Sequence, residues 1–218
     1  MVQSTPPSQP LALPRAAAVA GLIFSLLMLI SLGIVRVAIP QSLEEQSTVN
    51  AHFGHALTLA LHLVPFVGLA FLWFIGVLRN RMGASEDQFF GTVFLGSGLL
   101  FVASLFAASA IAGAVLGSSH ARPSQQVSSE VYYFARQLGY AFLNIFAVRM
   151  AGVFIFSTSA IALRTGIFPR WIAYSGFACG LTLLLVISNW MWIAMLFPLW
   201  TILVSAHILV AQKKREGS

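Results

Sequence analysis

One arginine, Arg149, stands inside an apolar run covering residues 138–163, and no Asp or Glu lies inside any apolar run of the chain. Placing a guanidinium at membrane depth costs about 2.5–3.5 kcal/mol on insertion scales, so such a residue is expected to face a bundle interior, a cavity or a ligand. Its planar fork of N–H donors suits a phosphate, a carboxylate or a small anion. Phe142, Ile145, Phe146, Gly152, Val153 and Phe156 share its helical face, and the rings among them offer cation–π contact. Asn144 is out of step with that face and is expected to point elsewhere. The plainer alternative is a structural arginine satisfied by carbonyls or water.

The histidines form a second set. His55, Thr58 and His62 fall on one helical stripe, with His52 just before it and to one side. His62 is expected about 10 Å below the outer end of its helix and Arg149 about 16 Å below the outer end of its own, close to the midplane. If those two helices pack together, Arg149, His62, His55 and Thr58 line one electropositive pocket with Arg36 above it, a place for a lipid or a small anionic ligand. A competing arrangement is a divalent-metal site at the outer surface from His52, His55 and His120 with Glu44, Glu45 or Glu130, since metals take imidazole and carboxylate ligands. The plainer alternative for His62 is a ring hydrogen-bonded to a neighbour. His207 belongs to the opposite end of the membrane, so the histidines do not offer a bis-histidine haem site, and no cofactor is expected.

Enzyme chemistry has no constellation to rest on. The sequence contains no H-E-x-x-H zinc motif, no G-x-S-x-G elbow and no phosphate-binding Gly-Lys-Ser/Thr loop. A proton-coupled transporter would want a carboxylate within a span. Glu86 and Asp87 instead fall between two apolar runs, beside Arg79 and Arg81. Cys179 is the single cysteine, so no intramolecular disulfide forms.

The elements that must position these residues are membrane helices. The chain is 58% hydrophobic and 8% charged, where a soluble domain carries about 25% charged residues. Mean hydropathy is +0.87. Six apolar runs, at about residues 16–39, 55–78, 89–116, 138–163, 171–188 and 191–211, approach the roughly 20 residues a spanning helix needs. They predict an all-α polytopic bundle, one transmembrane domain over 15–212. A disordered tail is expected over 1–14, and a basic tail over 213–218. Residues 41–50 and 117–137 are expected as outer loops. Pro65 and Pro198 fall inside helices, and small residues recur at four-residue spacing, as at Gly176 and Gly180, where helices approach closely.

Net charge is +6. The basic residues sit at the ends of apolar runs, where they meet anionic lipid, and no soluble basic domain exists to bind nucleic acid. Arg15, Arg79, Arg81, Arg164, Arg170, Lys213, Lys214 and Arg215 gather on one side, and outnumber Arg36, Arg122 and Arg136 on the other. That bias predicts both termini in the cytoplasm.

The loop with Arg164, Gly166, Pro169, Arg170 and Trp171 resembles a recurring loop of uncharacterised bacterial multi-span membrane proteins carrying a domain of unknown function. The stretch with Arg79 and Arg81 followed by Phe89, Phe90, Gly91 and Thr92 is similar to the same group. The resemblance implies a bacterial cytoplasmic-membrane protein and carries no activity or site residue. Together these readings give a non-enzymatic accessory or ligand-binding bundle around Arg149, in contact with anionic lipid and open to homo-oligomers or a larger membrane complex. The alternatives are a small oligomeric transporter or channel for an anionic or neutral solute and, behind it, a metal-dependent membrane enzyme using the outer histidines.

Overall fold

A computed structural model describes residues 13–38, 51–82, 88–121, 128–186 and 191–216. Among these residues the chain is all helix, without a strand: α1 (Leu13–Ala38), α2 (Ala51–Met82), α3 (Gln88–Ala121), α4 (Ser129–Tyr140), α5 (Val148–Thr165), α6 (Arg170–Leu185) and α7 (Leu196–Glu216). A π-helical segment, Ala141–Ala147, joins α4 to α5, and a 3-10 turn, Met191–Met195, leads into α7. Five helices are long and apolar enough to cross a membrane, with α4, the π segment and α5 acting as one. The sixth, α6, is a shorter apolar helix of 16 residues.

Several boundaries differ from the sequence reading: α2 begins at Ala51, so His52 lies inside it and not before it, α6 stops at Leu185, and two differences bear on the expected loop and tail. The region 117–137, expected as a loop, is helical to Ala121 and again from Ser129. The Ser128 hydroxyl accepts from the Val131 amide at 3.4 Å, and Glu130 lies in the first turn, where a carboxylate meets the positive end of the helix dipole. At the other end, α7 runs on to Glu216 through part of the stretch expected as a basic tail. The α5–α6 turn follows the expected logic. Gly166 takes the left-handed conformation at φ 68°, closing α5 with a bond from its amide to the Ala162 carbonyl at 3.0 Å. Pro169 then precedes the first residue of α6.

Around the bundle α1 packs on α2 and α7, α3 on α2 and α5, and α6 on α5 and α7. At its centre Phe24, Phe71, Phe101, Phe154 and Phe197, one ring from each of α1, α2, α3, α5 and α7, meet at one level. Phe71 lies 5.1 Å from Phe101, 5.0 Å from Phe154 and 5.4 Å from Phe197, centroid to centroid. Edge-to-face geometry dominates these pairs, as the ring quadrupole favours. This plug gives a common height from which the other residues can be measured.

The glycine pattern is used where α5 meets α6. A Cβ on Gly152 would stand 3.0 Å from the Gly180 carbonyl oxygen, and one on Gly180 would stand 3.0 Å from the Gly152 carbonyl oxygen. The two backbones therefore approach through these residues, with Gly152 also facing Leu183 and Leu184. Because α5 and α6 run antiparallel, Arg149, one turn before Gly152, is level with the last turn of α6.

Candidate functional site

Arg149 does not point into the bundle. The inward face of α5 carries Ala151, Phe154, Ile155 and Thr158, all buried. Arg149 is half-buried on the opposite face, between Ile145 and Phe146 on one side and Val153 and Phe156 on the other. Ile145, Phe146 and Phe156 are 48%, 52% and 39% exposed, so this is the outer flank of the chain.

Its guanidinium turns back along its own helix. Nη1 donates to the Asn144 main-chain carbonyl at 2.9 Å. Asn144 lies inside the π segment, where backbone pairing runs from i to i+5 and brings these two positions into register. The Asn144 side chain in turn donates from Nδ2 to the Tyr140 carbonyl at 3.3 Å. The Asn144 side chain thus points elsewhere, as its spacing implies, and it is its main-chain carbonyl that meets Arg149. The expected cation–π contact at Arg149 is replaced by this bond. Arg164 is the cation found over a ring, 4.5 Å from the centre of Phe90.

The depth of Arg149 also changes. At about 1.5 Å per residue it lies about 22 Å from Arg164 at the other end of α5. An apolar slab about 30 Å thick, with one boundary at Arg164, has its second boundary about 8 Å beyond Arg149, near Asn144. The Arg164 boundary is shared by other helices. Arg79 and Arg170 are exposed at that basic end, and His207 lies edge-on to Phe168 at 6.4 Å and Trp171 at 6.5 Å. Arg149 therefore stands about midway between the midplane and the far boundary. Its side chain leans toward that boundary, as long cationic side chains do.

His62, His55 and Thr58 do not join it. The main neighbours of α2 are α1 and α3, with α3 standing between α2 and α5, although Phe71 and Phe154 meet in the plug. His62 is exposed, and its Nδ1 is 2.7 Å from the Thr58 carbonyl, a bond to its own helix. It lies about 13 Å beyond the plug on α2, and Arg36 about 18 Å beyond it on α1, both close to the far boundary. His55 is exposed higher still, and Thr58 is half-buried. The side chains of Arg36, His52 and His120 lie outside the described residues. Among the described residues no three His, Cys, Asp or Glu side chains cluster as metal ligands would.

A small cavity, about 10 Å³, does exist, on the inward side of the wall that carries Arg149. Leu143, Val148 and Ala151 line it with Met28, Leu183 and Phe197, and every lining group is apolar. Arg149 and His62 take no part in it. The arrangement is therefore a cation on an open flank, held by one carbonyl, with no ion pair to an acid among the described residues. Comparison with protein-family models, with curated proteins and with solved structures gives no match.

Proposed function

We propose that this chain is a non-enzymatic integral membrane protein, an accessory or binding bundle that holds an anionic group at Arg149 on its flank. The carrying observation is the single bond from Arg149 Nη1 to the Asn144 carbonyl, on an exposed face with no acidic partner among the described residues. A guanidinium has five donors, and one bond leaves most of the fork for a ligand. Keeping a charge inside the apolar slab costs free energy, less here than at the centre of a span, which a bound anion offsets. The basic collar of Arg79, Arg164, Arg170 and Lys213 supports cytoplasmic termini. The likeness of two loops to bacterial membrane proteins supports a bacterial cytoplasmic membrane.

Transport through one chain has to pass the five packed rings, and the buried Ser25 hydroxyl beside them is bonded to the Gly21 carbonyl of its own helix. A conducting role on this fold needs a path between copies. The test is native mass spectrometry of the whole chain released from detergent. A bound anionic species is expected in the wild type, reduced about tenfold in Arg149→Leu and partly kept in Arg149→Lys, whose charge remains without the fork. Equal content in all three overturns the reading.

A further inference from the structure

We infer that the anion is the phosphate of a membrane phospholipid, entering sideways from the leaflet at the far end, with acyl chains against the α5–α6 flank. This rests on Arg149 as an anion site and names the chemistry of its ligand. Three tiers on one side of the molecule carry it.

Toward the basic end from Arg149 the flank is apolar. Phe156 is exposed with its ring edge against Phe177 at 4.7 Å, Leu163 is exposed beyond it, and Leu181 is exposed on α6 beside the Gly152–Gly180 contact. This ledge continues about 20 Å down from Arg149, the depth of a leaflet's hydrocarbon and more. At the level of Arg149 stands the guanidinium fork, about 8 Å inside the boundary and leaning toward it, where a lipid phosphate can meet it.

Above Arg149 the π segment sets which face of α4 continues the flank. A continuous α-helix would bring Phe142, Leu138 and Val131 into the Arg149 column. One added residue turns α4 by about 100° relative to α5. Tyr132, Ala135 and Gly139 then face α3, and all three are half-buried, whereas Val131, Tyr133, Phe134, Arg136, Gln137 and Leu138 are exposed. A Cβ on Gly139 would stand 3.8 Å from Ile111 and 3.9 Å from the Ala108 carbonyl. The column over Arg149 becomes Gln137, Tyr133 and Glu130, all exposed. Apolar ledge, cation and polar column match the order of acyl chain, phosphate and headgroup. A soluble anion would want a watered polar pocket. Ile145, Phe146, Val153 and Phe156 around Arg149 are apolar, and the cavity lined by Leu143, Val148 and Ala151 lies behind the wall.

The experiment uses the full chain in a phosphate-free maltoside detergent. Retention of added phosphatidylglycerol is read by native mass spectrometry, and binding of inorganic phosphate by titration calorimetry. Phosphatidylglycerol is expected on the wild type, reduced about tenfold in Arg149→Leu and several-fold in Phe156→Gln, which leaves the guanidinium in place, with no displacement by inorganic phosphate. If Arg149-dependent binding is seen for inorganic phosphate while phosphatidylglycerol is not retained, the lipid inference falls and the anion site stands. Equal phosphatidylglycerol on wild type and Arg149→Leu marks a bulk lipid shell and also ends the inference. If neither probe responds to Arg149, both readings fall. Should Arg149→Leu not fold, Arg149→Gln and Phe156→Gln carry the same comparison.

Discussion

At the scale of single residues, a charge within an apolar run is visible in one dimension, and Arg149 is legible for that reason. Its direction is not. The face a side chain takes depends on every turn before it, and a π segment in the same helix shifts that count. His62 shows the reverse case, where the plainer alternative, a ring hydrogen-bonded to a neighbour, is met by the Thr58 carbonyl of its own helix. The glycines are legible as a spacing, and the structure supplies what each would meet. Gly152→Val sets new carbon atoms against the Gly180 carbonyl and Leu183, both about 3 Å from the first Cβ. It is expected to lower stability by about 1–3 kcal/mol, the usual range for overpacking. Gly33, also in a helix, has nothing within 4 Å of a built Cβ. Gly33→Ala is therefore expected to leave stability unchanged or raise it by up to about 1 kcal/mol through helix propensity. Thermal unfolding in detergent compares the two, and equal losses would refute the close approach of α5 and α6.

At the scale of elements, hydropathy locates helices by their apolar middles and ends them where side chains turn polar. That is why the sequence of α4 reads as loop. Its Glu130, Arg136 and Gln137 are all exposed, none of its residues is buried, and its backbone bonds form regardless of side-chain polarity. The π segment leaves no pattern to find, since one extra residue disturbs only the phase between two helices. Its role can be separated from that of α4. Deleting Ala141, a half-buried residue of the π segment, is expected to restore i to i+4 pairing while α4 keeps Tyr132, Ala135 and Gly139 toward α3. Helicity by circular dichroism should persist, and unfolding temperature should hold or rise. Bound anion should fall about tenfold, because the Asn144 carbonyl returns to an ordinary backbone amide and Arg149 loses its anchor. Full anion retention in the deleted chain would show that the π turn does not position the guanidinium.

At the scale of the whole molecule, the all-helical fold is the most legible feature, because 58% apolar content leaves few other ways to satisfy backbone groups in lipid. The order of packing is not legible. Apolar surface is available on all sides of each helix, so composition alone does not say that α3 stands between α2 and α5. Which end faces the cytoplasm rests on charge asymmetry, and the structure gives that asymmetry two addresses. Arg136 is exposed on α4 beyond the far boundary, and Lys213 is exposed on α7 beyond the basic one. With Cys179 replaced by serine, Arg136→Cys and Lys213→Cys each carry a single thiol. A membrane-impermeant maleimide applied to intact cells is expected to label Arg136→Cys at once and Lys213→Cys only after permeabilisation. The reverse pattern would invert the bundle and set Arg149 in the cytoplasmic leaflet, so any lipid it holds would come from that side. Labelling of both from one side would place α4 and the end of α7 together, which demands an even number of crossings between Arg136 and Lys213 and contradicts the six-span topology.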